Sequence, residues 1–167
     1  MIFRLEIDGW KSGIRFSSAH ILPGHKSCGV LHGHTYVINA KVYGEKDRQD
    51  FVMDFSIVKS LLKKIADRLD HKILIPKTNT FFEVSDKEIK VTFDGKKYVF
   101  PREDCALLPI SNATAENLAE YVLKELLKEI DLPGNVKKIE IGVDEGFGQG
   151  AWIAKDIQWR YDNSGSI

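Results

Sequence analysis

Cys28-Gly29-Val30-Leu31-His32-Gly33-His34-Thr35-Tyr36-Val37-Ile38-Asn39-Ala40-Lys41-Val42-Tyr43 is the stretch on which the fold turns. From Thr35 to Tyr43 the residues alternate. Tyr36, Ile38, Ala40 and Val42 fall on one face, and Asn39 and Lys41 fall on the other. Successive strand side chains point to opposite faces, so the pattern predicts a half-buried strand. The same period carries back to His32 and His34 and puts both imidazoles on one face, where they could pinch one metal ion. His20 ends the strand predicted before them, and an antiparallel partner could deliver it to the same spot. Three imidazoles with no fourth protein ligand is the pattern of a catalytic zinc with an open position. Nitrogen ligands favour zinc over a hard cation. Two other readings stand beside this one: the histidines are polar residues at strand ends, or His25, in the turn Pro23-Gly24-His25, is the third ligand.

Around that stretch, Met1–Asp8 and Ile14–Ser18 read as strands joined by a turn at Gly9–Gly13. A helix is predicted from about Ser56 to Leu69. Ile57, Val58, Leu61, Leu62, Ile65 and Leu69 form its apolar stripe, and Asp54 or Ser56 is placed to cap it. A second helix runs from about Ala115 to Glu129, with Thr114 as N-cap and Pro133-Gly134 as the stop. Strands follow at about Val136–Glu145 and Ala151–Arg160, and the small, polar tail after Tyr161 is expected to fray. Between the helices, Glu88–Phe93 and Lys96–Phe100 flank Asp94-Gly95. Asp-Gly between two β-rich runs signals a hairpin, because both turn positions favour φ > 0. Strands joined mostly by hairpins, with helices grouped between them, predict an α+β antiparallel sheet with helices on one face.

The 167 residues fit one domain with room for a sizeable core. The balance of 24 Lys+Arg against 24 Asp+Glu argues against a surface built to grip nucleic acid or an anionic membrane. It leaves room for a local basic patch around an anionic small molecule. No stretch approaches the roughly 18 apolar residues of a membrane span. Charges interrupt Met1-Ile2-Phe3-Arg4-Leu5-Glu6 at once, unlike the apolar core of a signal peptide, so a cytoplasmic protein is expected. With only Cys28 and Cys105, reduced thiols are expected rather than a disulfide scaffold.

Cys28 lies four residues before His32. A thiol so near a metal could act as base or nucleophile, or be a fourth zinc ligand. Asp70-His71 ends the first helix. It reads either as a carboxylate tuning an imidazole for proton transfer or as a histidine at the negative end of the helix dipole. Glu145 continues the parity of Ile139, Ile141 and Val143. A carboxylate at the end of a buried face is costly unless paired, and it could accept two hydrogen bonds from the amidine-like edge of a guanine or pterin ring. If the strand has already ended, Glu145 is simply solvated. Gly146-Phe147-Gly148-Gln149-Gly150 precedes a strand, so it reads as a hairpin turn and not as a phosphate cradle.

Together these pieces resemble the 6-pyruvoyl tetrahydropterin synthase / 6-carboxytetrahydropterin synthase family. The resemblance is carried by Phe16-Ser17-Ser18-Ala19-His20, Cys28 to Tyr36, Val52-Met53-Asp54-Phe55-Ser56, Leu69-Asp70-His71, Thr114-Ala115-Glu116-Asn117-Leu118-Ala119 and Glu145, in the family's order. It implies the tunnelling fold, a single α+β domain with a four-stranded antiparallel sheet and two helices on one face. Here a β-hairpin at 88–100 lies within an insert at about 73–113. The insert is longer than its usual counterpart, and the hairpin is expected to decorate the oligomer or cover the site mouth. Ala113 also stands where a proline often occurs.

The resemblance further implies a homohexamer, a dimer of trimers with active sites at subunit interfaces. His20, His32 and His34 would bind zinc, and Cys28 would be the catalytic thiol. Asp70 and His71 would be its partner dyad. Glu145 would anchor the pterin ring, with Thr114 and Glu116 helping from the neighbouring interface. The implied substrate is 7,8-dihydroneopterin triphosphate. The compact Cys-X3-His-Gly-His site looks like the microbial, 6-carboxytetrahydropterin-forming branch, an early step towards deazapurine-modified tRNA bases of the queuosine type. The alternatives are the pyruvoyl-forming enzyme of biopterin synthesis and a noncatalytic zinc-stabilised pterin- or purine-binding module. Intact Cys28 and Asp70-His71 argue against the module.

Overall fold

The computed structural model describes residues 1–158; the end of the strand predicted to reach Arg160, and the polar tail, lie outside the described residues. Strand β3 is the organising element. Numbering in chain order, the first elements are β1 (Phe3–Ile7), α1 (Gly9–Ser12), β2 (Arg15–His20) and β3 (His32–Gly44). Then come α2 (Phe55–Leu69), β4 (Lys72–Pro76), β5 (Phe82–Val84), β6 (Glu88–Phe93) and β7 (Lys96–Pro101). The last are β8 (Cys105–Leu108), α3 (Ala115–Glu129), β9 (Val136–Glu145) and β10 (Gly150–Asp156).

Along one edge β3 pairs antiparallel with β9, and β9 with β10. Along its other edge it takes β2 and β1 in succession, so one long strand is flanked by two short ones. Between these two the chain makes a single helical turn, α1, where the sequence suggested a plain turn. Asp8 caps it and Gly13 closes it.

The sheet has seven strands, three more than expected, and it is not wholly antiparallel. β4 runs parallel to β2, and β8 runs parallel to β4. The apolar runs of these two strands, Ile73-Leu74-Ile75 and Ala106-Leu107-Leu108, are too short to show a period, so only tertiary pairing identifies them. The α+β class, with α2 and α3 packed on one face, stands. Tyr36, Ile38, Ala40 and Val42 of β3 and Ile139, Ile141 and Val143 of β9 meet Val58, Leu62, Ile65, Leu118, Val122 and Leu126 in one buried cluster. Asp54 caps α2 by accepting from the Ser56 amide, and Thr114 caps α3 by accepting from the Asn117 amide. None of the described helices is long and apolar enough to cross a membrane.

The 88–100 hairpin forms, and its turn has the expected backbone, with φ of +48° at Asp94 and +71° at Gly95. It belongs to a separate three-stranded sheet, β5-β6-β7. That sheet does not hang free. Phe82, Ile89, Val91, Phe93 and Phe100 share a second apolar cluster with Ile75 of β4, Cys105 of β8 and Ile21, the residue after His20.

Candidate active site

Strand register builds the site. His20 pairs with His32 across β2 and β3, and Tyr36 pairs with Glu145 across β3 and β9. Alternation then turns His20, His32, His34, Tyr36 and Glu145 to the helix-covered face. Each of the three imidazoles offers a nitrogen within 4.8 Å of the others. The Nε2 atoms of His20 and His32 are 3.0 Å apart. His20 Nδ1 lies 2.7 Å from the Ala113 carbonyl oxygen, and His32 Nδ1 lies 2.8 Å from that of Val30. A carbonyl only accepts, so both Nδ1 atoms carry hydrogen and both Nε2 atoms present lone pairs.

Two lone pairs face to face at that distance repel unless a cation stands between them. Protonation is a poor remedy. Burial lowers the His20 pKa, and the nearby His32 and His34 act in the same direction against the Ala113 carbonyl and Glu145. The triad could hold a metal ion, oriented from behind by backbone carbonyls as ligating histidines usually are. His25 takes no part. It is exposed, and its Nδ1 accepts from the Cys28 amide at 3.0 Å.

Glu145 lies at the end of β9 and is partly covered, not freely solvated. Its Oε1 accepts from the Tyr36 hydroxyl at 3.1 Å and lies 3.5 Å and 3.6 Å from Nε2 of His20 and His34. Tyr36 itself is fully buried and stacks on Phe16. Burial, then Glu145, push its pKa well up, so the hydroxyl stays a donor. The Cys28 thiol bears on Tyr36 in the same direction, which sets it in electrostatic reach of this cluster.

Cys28 rides on a compact loop between Ile21 and Leu31. The Leu22 amide donates to the Cys28 carbonyl at 3.0 Å, and the Gly29 amide donates to the His25 carbonyl at 2.9 Å. A Cβ on Gly29 would stand 2.4 Å from the His25 carbonyl oxygen, so only glycine lets the loop close so tightly. Cys105 is buried in the second cluster, and burial raises its pKa to about 11.

Asp70 and His71 do not join the triad within one chain. Asp70 Oδ1 accepts from the Ser17 amide at 2.7 Å, and the His71 amide donates to the Ser17 carbonyl at 2.8 Å. Asp70 Oδ2 lies 2.9 Å from His71 Nδ1. His71 takes φ of +57°, a left-handed conformation that β2 and the carboxylate together hold. Its side chain is 85% exposed and lines an open depression with Ser17, Ser18, Ala19, Gly33, Thr35 and the triad's own His34. Ser17, Ala19, Gly33 and Thr35 alternate with the triad, but His34 lines the same depression. What separates the dyad from the triad is that, among the described residues, its side-chain hydrogen bonds run to Ser17 and within the dyad. Thr114 adjoins Ala113, the residue whose carbonyl holds His20, and its hydroxyl serves as the helix cap; Glu116 is exposed on the first turn of α3. Sequence reading missed Tyr36 and Ala113. Tyr36 was legible only as a core-facing strand residue, and a backbone carbonyl leaves no mark in the residue type.

A sheet backed by two helices carries three converging imidazoles that could hold a metal ion, with a carboxylate beside them and a cysteine loop at the same end. Residues 10–156 match the family model described as 6-pyruvoyl tetrahydropterin synthase, and the chain belongs to that family, whose members are lyases. The chain is 43% identical over 159 residues to a putative 6-carboxy-5,6,7,8-tetrahydropterin synthase of Methanocaldococcus jannaschii, covering 92% of this chain and 98% of that protein. It is 32% identical over 140 residues to the 6-carboxy-5,6,7,8-tetrahydropterin synthase of Aquifex aeolicus, covering 79% and 80%. Among solved structures, 6-pyruvoyl tetrahydropterin synthase of Plasmodium falciparum superposes with a TM-score of 0.85 at 31% identity, over 93% of this chain and 99% of that one.

Proposed function

We propose that this chain converts 7,8-dihydroneopterin triphosphate and water to 6-carboxy-5,6,7,8-tetrahydropterin, acetaldehyde and triphosphate, with zinc at His20, His32 and His34. The observation that carries the reading is the convergence of the three imidazoles beside Glu145, two of them turned by backbone carbonyls to present Nε2. The names of the relatives from Methanocaldococcus jannaschii and Aquifex aeolicus favour the carboxy-forming branch. An all-nitrogen donor set suits zinc. When bound, the metal would acidify the hydroxyls of the substrate side chain.

The protein's own groups would do the rest. Glu145 would accept from the amidine edge of the pterin through Oε2, while Tyr36 holds Oε1. That fixes the ring and sets how far its side chain lies from Cys28. The Cys28 thiolate would take a proton from a side-chain carbon. His71, with Nδ1 held by Asp70, presents Nε2 for a second proton transfer. The dyad bonds to Ser17 and not to the triad in its own chain, so a neighbouring subunit would supply it in a homohexamer built as a dimer of trimers. Thr114 and Glu116 would complete the pterin contacts from that interface. The carboxypterin product would feed synthesis of deazapurine-modified bases of the queuosine type in the cytoplasm.

The likeness to the Plasmodium falciparum enzyme keeps the pyruvoyl-forming reaction as the second reading. Incubating zinc-loaded protein with 7,8-dihydroneopterin triphosphate and weighing the products decides. Carboxytetrahydropterin with acetaldehyde is expected. A pyruvoyl product moves the chain to the other branch. Tight pterin binding without turnover would sink both and leave the zinc-stabilised binding module.

A further inference from the structure

The insert is the feature that the proposed reaction leaves unused, and its tip reaches the site. The turn at Asp94-Gly95 aims the first residue of β7, Lys96, at the cysteine loop, where Lys96 Nζ donates to the Gly29 carbonyl at 3.5 Å. Gly29 is the residue after Cys28. The approach is built from both sides. The Lys96 ammonium lies 5.8 Å from the ring centroid of Phe93, and Phe93 shares its apolar cluster with Ile21, which follows the ligand His20. The hairpin and the root of the loop are thus parts of one core, so the turn cannot drift far from Cys28.

Among the described residues no carboxylate lies within ion-pair distance of Lys96, and the long bond to a carbonyl leaves most of its charge unmatched. Lys26, carried by the same loop as Cys28, likewise has no carboxylate partner among the described residues. In the proposed substrate the triphosphate ester sits on the last carbon of a three-carbon side chain. Any pose that offers a side-chain carbon to Cys28 therefore brings phosphate oxygens close to Gly29. That is where the hairpin delivers its ammonium.

We propose that Lys96 binds the polyphosphate of the substrate, with Lys26 flanking it, so that the insert is the part of this protein that reads the phosphate tail. This rests on the function proposed above, because that reading supplies the polyphosphate. It explains why an otherwise neutral protein carries two adjacent lysines, Lys96 and Lys97, at the tip of a hairpin docked beside its cysteine loop.

Protection of Cys28 tests the assignment without turnover. The metal-loaded full chain is treated with iodoacetamide over a range of inorganic tripolyphosphate, and alkylation of Cys28 is followed by mass. Zinc content is tracked so that stripping by the polyphosphate is not mistaken for protection. Tripolyphosphate is expected to slow alkylation in the parent protein, less so as salt rises. Lys96→Met should raise the half-protecting concentration about tenfold or more, the loss of one charge-assisted hydrogen bond. Lys87→Met, at the other end of the same hairpin, should leave it unchanged.

With the triphosphate substrate, Lys96→Met should raise KM more than it lowers kcat. Equal protection of the Lys96→Met and parent proteins overturns the proposal, as does no protection of the parent. A Lys96→Met protein that alkylates faster without tripolyphosphate, yet is protected at the parent concentration, shows a mere brace and also overturns it. Protection lost in Lys96→Met, together with a parent that turns over no pterin, would uphold the anion site and sink the function instead.

Discussion

His20 and His32 illustrate how single residues make this site. Each is oriented through Nδ1 by a backbone carbonyl, and each spends its lone pair towards the other. Cys28 stands apart from that set, on a loop closed by Gly29. Cys28→Ala should therefore lower turnover by at least ~10²-fold, the scale of a lost general base, while zinc content measured by metal analysis stays at the parent value. Loss of zinc with the thiol would make Cys28 a ligand. Asp70 has a structural task. The Ser17 amide, and then His71, hold its pKa below the ordinary carboxylate value. A carboxyl whose pKa is lowered on folding adds stability that is complete above the unfolded value, about 3.9, and is lost as pH falls through the lower folded one. Denaturation of Asp70→Asn should show it less stable than the parent at neutral pH, with the gap closing below about pH 4.

At the scale of elements, the hairpin marks where sequence pattern stops being informative. Asp94-Gly95 between two β-rich runs announced the hairpin. Nothing local said what the hairpin would meet. It meets Ile21 and Ile75, because β4 and β8 extend the main sheet on that side and leave those side chains to be covered. The hairpin, expected to decorate the oligomer or cover the site mouth, thus shares a core with the main sheet. Ile89, fully buried in that core, gives the measurement. Ile89→Ala should cost about 2–5 kcal/mol in denaturant unfolding, the range for truncating a core side chain. It should also speed alkylation of Cys28, since Ile21 anchors the loop. A change below about 0.5 kcal/mol would restore the picture of an ornament.

For the whole molecule, the histidine triad and the Asp70-His71 dyad do not bond to each other within the described residues of one chain. The triad, Tyr36 and Glu145 gather at the ends of β2, β3 and β9, whereas His71 is held by Asp70 beside Ser17 and lines an open depression that His34 shares. If neighbouring subunits complete each other's sites, mixing inactive Cys28→Ala and His71→Ala proteins under subunit exchange should restore part of the parent activity. A site complete within one chain predicts none. Light scattering of the parent protein should give the mass of six chains. Chelation of zinc should abolish turnover, and readdition should restore it.

Much of this was written in local pattern. The period of two in β3 placed His32, His34 and Tyr36 on one face, and the stripes and caps of α2 and α3 marked both helices to within a residue. The Cys-X3-His-Gly-His spacing, with Asp70-His71 and Glu145, was enough to name the family. These features are local because strand alternation, helical spacing and capping act between residues close in the chain. Tertiary structure decided the rest. It set the register that brings His20 beside His32, the parallel pairing of β4 and β8, the Ala113 carbonyl behind His20, and the docking of the insert against Ile21. Each depends on groups far apart in sequence whose meeting is fixed by burial of shared apolar surface, and no single segment carries that information.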